Sequence, residues 1–112
     1  MLVDTVGVDN MVQVVNIKTT PNFGKVKGDV YIGRYNEDYG KSKWHNPFHI
    51  TFYTTRDNAI ALYEKYLIGT GLINDIHELK DANRLGCWCK PLPCHGDVLK
   101  KYIDEYNKIH GD

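Results

Sequence analysis

The sequence predicts a small single α/β domain, and three observations carry that expectation. Runs rich in β-branched or apolar residues at Met11–Ile17 and Asp29–Gly33 have the composition of strands. Helical periodicity occupies about residues 56–80, and a third strand-like run, Asn83–Cys89, follows it. An amphipathic stretch from about Gly96 to Ile109 comes after that. The order strand, strand, helix, helix, strand, helix implies a short, mostly parallel sheet flanked by helices, in a Rossmann-like arrangement. A chain of 112 residues is near the modal domain size, so one domain over residues 1–112 is expected.

Each element has its own signal. The first ten residues give a weak one and are expected to be a flexible arm or an edge strand. Pro21, Gly24 and Gly28 mark residues 19–28 as a loop, and Asp29–Gly33 is short and apolar enough to be a buried strand. Residues 34–49 form a connection long enough to suggest function. Ile50–Tyr53 reads as a brief extended segment. Thr54 or Thr55 is a natural helix N-cap with Asp57 in the first turn. Ala59, Ile60, Tyr63, Tyr66 and Leu67 give the helical stripe, with Gly69 as its stop. Leu72, Ile73, Ile76 and Leu79 suggest a short second helix, and Val98, Leu99, Tyr102, Ile103, Tyr106 and Ile109 the stripe of the last one.

Composition excludes several classes. Fourteen basic and fourteen acidic residues leave no net charge, so no global positive field exists to hold nucleic acid. No apolar run is long enough to cross a bilayer and no secretory leader is visible, so a cytoplasmic protein is expected. Three cysteines, two separated only by Trp88, do not make a disulfide framework.

The chemically capable residues concentrate in Cys87–Asp97, which holds all three cysteines, and three chemistries fit it. Cys87, Cys89, Cys94 and His95 are zinc-ligand types, although one intervening residue between the first pair is a poor spacing. Free cysteine is also a common core residue. Cys94, ahead of a helix, has the setting of an activated thiol, with His95 or His45 and Asp97 as partners. Alternatively, Cys94 is a small packing residue in a tight turn. Lastly, the amides at Gly96 and the guanidinium of Arg34 suit a phosphate. Lys43 and Lys90 are further cations, Trp44, Tyr35 or Trp88 can stack a base, and Asn46 or Asp97 can bond ribose hydroxyls. The competing readings are a solvated Arg34 and a Trp44 that plugs its loop. His49 and His77 read as surface or capping residues.

Three separated motifs also carry a family resemblance: Val30–Arg34, Lys43–Phe48 and Cys87–Asp97. Together they resemble domain of unknown function family 4326, small domains of bacteria and their phages, over about residues 30–102. The resemblance implies marked positions at Gly33, Arg34, Trp44, Asn46, Pro47, Cys87, Cys89, Pro91, Cys94, His95, Gly96 and Asp97, and no established activity.

The leading expectation is a domain that binds a nucleotide or ADP-ribose-like ligand beyond the carboxyl ends of the strands. Its site comprises Gly33, Arg34, Trp44, His45, Asn46, Cys89, Pro91, Cys94, His95, Gly96 and Asp97. By analogy with small phage proteins, it would sequester a host immune nucleotide signal. The enzyme alternative is a hydrolase or transferase using Cys94, His95 and Asp97, and the third is a zinc-stabilised interaction module. No cofactor is implied. A homodimer with a shared pocket is compatible with the sequence.

Overall fold

In the computed structural model, which describes residues 11–110, three strands form one parallel sheet. They are β1 (Gln13–Asn16), β2 (Asp29–Tyr31) and β3 (Arg84–Cys87), in the order β1-β3-β2. The last strand in sequence is therefore the central one. Leu85 lies level with Val14 and Val30, and Gly86 with Val15 and Tyr31. The arm or edge strand expected for the first ten residues lies outside the described residues. β1 is shorter than expected because the Asn16 side chain accepts the Lys18 amide at 2.8 Å and starts a 3₁₀ turn, Ile17–Thr19.

Between β2 and β3 lies helix α1 (Arg56–Gly69), and after β3 comes helix α2 (Gly96–His110). Thr55 caps α1, its hydroxyl accepting the Asn58 amide at 3.1 Å. The helix ends at Gly69, as expected. Thr70 follows as the cap, and Gly71, with a φ of 83°, makes the left-handed turn that redirects the chain. The predicted second helix is a 3₁₀ segment, Leu72–Leu79. Ile73, Ile76 and Leu79 recur at three-residue steps, which line up on one face at three residues per turn.

Strand alternation divides the structure into two sides. Leu85 and Cys87 point toward the helices and join a core with Ile32, Tyr63, Leu67, Leu99 and Ile103. On the other side no α-helix packs among the described residues. Phe23 packs there so closely that a Cβ on Gly86 would stand 2.3 Å from its ring. Arg84 lies over the same ring, 5.7 Å from its centre, and grips Asp29 in a two-pronged ion pair at 2.6 and 2.8 Å. Asp29 also accepts the Gly24 amide at 2.8 Å, so one carboxylate ties the Phe23 loop to β2 and β3. These contacts, the Arg84 bond above all, hold its pKa below the usual carboxylate range.

The expected extended segment at Ile50–Tyr53 is instead a tight turn. Thr51 and Thr54 exchange backbone hydrogen bonds at 2.9 and 3.3 Å, leaving Phe52 and Tyr53 at its tip, 92% and 88% exposed. No helix among the described residues is long and apolar enough to cross a membrane.

Two glycines should respond oppositely to alanine. Gly86→Ala drives a methyl group into Phe23 and is expected to destabilise the fold by about 1–3 kcal/mol, with partial recovery in a Phe23→Leu background. Gly69→Ala meets no atom within 4 Å and is expected to stabilise by up to about 0.5–1 kcal/mol. Denaturant unfolding of the three variants measures both.

Candidate functional site

A cleft of about 400 Å³ opens beyond the carboxyl ends of β2 and β3. One wall is Gly33, Arg34 and Tyr35, which follow β2. The second is the first turn of α1, with Arg56, Ala59 and Ile60. Trp88, Cys89, Pro93, Cys94 and His95 form the third, while Asn46, Phe48, His49 and Ile50 close the cleft from the long connection. The Trp88 indole N–H donates to the Tyr31 hydroxyl at 3.1 Å, and that hydroxyl donates to the Arg34 carbonyl at 2.5 Å. This relay fixes Arg34 relative to Trp88.

The cysteine run is held from three directions. Asn16 donates to the Lys90 carbonyl at 2.7 Å and Arg56 to the Pro93 carbonyl at 3.1 Å. Asp97 reaches back to accept the Cys94 amide at 3.1 Å, while its other oxygen pairs with Lys90 at 2.5 Å. Asp97 is thus a clamp for the loop and does not line the cleft.

The phosphate cradle expected at the start of α2 is not available. The Gly96 amide donates to the Cys94 sulfur at 3.3 Å and the Asp97 amide to the Cys94 carbonyl at 3.0 Å. Val98 and Leu99 donate to the His95 carbonyl at 3.0 and 3.2 Å. All four first-turn amides are consumed within the chain. Gly96 does permit a close approach, but of the helix to the sheet: a Cβ there would lie 2.8 Å from both Ile32 and Val14.

Other expected site residues are placed elsewhere. Trp44 is buried in the core, where its carbonyl accepts the buried Tyr63 hydroxyl at 2.8 Å; it plugs its loop and cannot stack a ligand. His45 bonds to the Ser42 carbonyl at 2.8 Å and faces a separate shallow depression. Pro91 is absent from the cleft lining. Lys43 pairs with Asp75 and Glu78 at 3.2 and 2.9 Å, and Lys90 with Asp97, so neither cation is available to the cleft. Asn46 lines the cleft but spends its amide locally. It accepts the Phe48 amide at 2.9 Å across Pro47 and donates to the Ala59 carbonyl at 3.3 Å.

His95 is a core histidine. Its Nε2 lies 2.7 Å from the Ile32 carbonyl, so that nitrogen carries the proton, and Tyr63 packs edge-on at 4.8 Å. Burial, with the charges of Arg34 and His45, lowers its pKa to about 4. It therefore sits neutral and turned away from the thiols. Among the described residues no three histidine, cysteine or acidic side chains converge as metal ligands, so Cys87, Cys89, Cys94 and His95 are not gathered as a zinc set in this arrangement.

Cys87 and Cys94 are both buried, and their sulfurs stand 3.4 Å apart. The Cys94 thiol donates to Cys87, and the Cys89 and Lys90 amides also point at the Cys87 sulfur. Chiefly through the Cys94 bond, the Cys87 pKa falls to about 6. The same bond, together with burial, pushes the Cys94 thiol up. Any thiolate of the pair resides on Cys87, contrary to the expectation of an activated Cys94.

Sequence reasoning missed Arg56 and gave His49 no role in a site, although both line the cleft. A signal for Arg56 existed. A cation in the first turn of a helix opposes the helix dipole, and such local conflicts point toward function.

A family profile described as "Domain of unknown function (DUF4326)" matches residues 15–105. The chain belongs to this family. The match starts before β2 and takes in the last two residues of β1, so it reaches further toward the N-terminus than the motifs alone suggest. An uncharacterised protein of Acanthamoeba polyphaga mimivirus is 38% identical over 108 residues, covering 83% of this chain and 82% of its own length. An uncharacterised 12.4 kDa protein of Enterobacteria phage T4, from the nrdA-td intergenic region, is 40% identical over 58 residues, 48% of this chain and 54% of its own. No solved structure matches the chain.

Stability should fall between pH 6.5 and 4 on account of His95. Unfolded imidazole protonates below pH 6.5 while the folded ring stays neutral to about pH 4, so acid favours the unfolded chain by up to about 3 kcal/mol. The contribution of Asp29 is lost only below its unfolded value of 3.8. Urea unfolding of wild type and His95→Gln across this range should give a steep wild-type slope and a flatter variant one.

Proposed function

We propose that the cleft binds a small phosphorylated ligand with a planar moiety, a nucleotide or ADP-ribose-like molecule. One observation carries this reading: two arginines from different elements face one cleft without a carboxylate partner among the described residues. Among the described residues Arg34 donates only to the Phe48 carbonyl at 3.1 Å and Arg56 only to the Pro93 carbonyl at 3.1 Å, so each fork keeps donors for an anion. Trp88 and Tyr35, both exposed beside them, offer planes for a base. The position, beyond the carboxyl ends of parallel strands, is where Rossmann-like sheets hold nucleotides, which supports the same conclusion.

The arrangement favours binding over a reaction run by Cys94, His95 and Asp97. The Cys94 thiol is turned to Cys87, His95 to a backbone carbonyl, and Asp97 to Lys90. In this reading the domain withdraws a host nucleotide signal, a role in keeping with relatives from viruses.

Calorimetric titration with a panel of nucleoside phosphates, ADP-ribose and cyclic nucleotides, under reducing conditions, tests the reading. At least one member should bind, and Arg34→Ala and Arg56→Ala should each weaken it by about 10-fold or more, as loss of a charged hydrogen bond requires. Lys43→Ala, which is remote from the cleft, should leave affinity unchanged. Absence of binding across the panel, or arginine variants that bind as wild type does, overturns the proposal.

A further inference from the structure

We infer that Cys87 and Cys94 form a redox-active pair that a hydroperoxide converts into an intramolecular disulfide at the floor of the cleft. The inference stands on geometry and does not depend on what the cleft binds. The two sulfurs lie 3.4 Å apart, one at the end of β3 and the other just before α2. A disulfide needs about 2.05 Å, so a little over 1 Å of approach closes the bond. Both residues line the cleft although each is almost wholly buried. That combination admits a small oxidant such as a peroxide and excludes a protein disulfide.

The surroundings favour a thiolate at one sulfur and a thiol at the other. Three backbone amides aim at the pair: those of Cys89 and Lys90 at the Cys87 sulfur, and that of Gly96 at the Cys94 sulfur, 3.3 Å away. The Lys90 ammonium adds positive charge beside Cys87. The lowered Cys87 pKa, about 6, agrees with this division, since the thiolate is the form that attacks a peroxide. The third cysteine, Cys89, is half-buried, and among the described residues its thiol makes no hydrogen bond to either sulfur.

The chemistry balances in two steps. The Cys87 thiolate attacks one peroxide oxygen, the O–O bond breaks, and Cys87 becomes a sulfenic acid while hydroxide (or alkoxide) departs. Sulfur loses two electrons and the peroxide gains them. Cys94 then attacks the Cys87 sulfur: the S–S bond forms, the S–O bond breaks, and the Cys94 proton leaves with the hydroxyl group as water. An external dithiol reverses the oxidation by exchange. Closure removes the thiol that Cys94 donates and pulls its sulfur from the Gly96 amide.

The test treats reduced wild type with one equivalent of hydrogen peroxide, alkylates in denaturant and maps peptides by mass spectrometry. The expected product is lighter by about 2 Da before alkylation, links Cys87 to Cys94, leaves Cys89 alkylated and is restored by dithiothreitol. Cys89→Ser should give the same link. Cys94→Ser should stop at a Cys87 sulfenic acid that dimedone captures. Wild type that keeps Cys87 and Cys94 alkylatable, or that links Cys89 to either, overturns the inference, and needs no variant to fold. Because nucleotide titration is run under reductant, failure here and failure of the ligand reading are separately visible.

Discussion

The structure depends on a strand with no free side. β3 pairs with β1 along one edge and β2 along the other, so its backbone is committed in both directions. Its faces are equally committed, with Leu85 and Cys87 in the helical core and Gly86 beneath Phe23. A Cβ at Gly86 would meet Phe23, and the Arg84 fork holds Asp29, its register partner on β2. A segment confined in this way cannot slide. The cysteine run leaves it from a fixed point, and Asn16, Arg56 and Asp97 need only hold its far portion.

The charge of the cleft comes from side chains. Helix α2 begins beside the cleft, but its first amides serve a thiol and two carbonyls of the preceding loop. The positive character therefore rests on two guanidiniums whose backbones belong to different parts of the fold. Planar forks set at two angles select for the shape of an anion, whereas a helix end selects mainly for its sign. The helix start has a different use here: it tightens the turn that brings Cys94 against Cys87.

Much of this was legible in the sequence because it rests on local rules. Strand composition located all three strands, and the Thr55 cap with its apolar stripe placed α1. The site was legible as a neighbourhood but less so as a residue list. Gly33, Arg34, Asn46, Cys89, Cys94 and His95 do line one cleft, as their positions after β2 and β3 implied. Trp44 misled because an aromatic in a polar loop looks available, whereas the Tyr63 hydroxyl, far away in sequence, draws its carbonyl inward. Gly96 misled in a related way, since a glycine at a helix start serves either a ligand or a neighbouring strand, and only packing decides. Arg56 needed the tertiary fold, because its place in the cleft depends on where α1 lands relative to Pro93.

The strand order also dictates when the sheet can exist. β1 and β2 share no ladder, and each has β3 as its only partner in the described sheet. As the ribosome delivers the chain, two strand segments emerge and wait while α1 and the 3₁₀ segment are synthesised behind them. Their unpaired N–H and C=O groups stay open to stray pairing with other chains throughout that interval. Both ladders need Arg84–Cys87, so neither can form until that strand clears the exit tunnel. A fragment released before that point lacks the strand on which both described ladders depend.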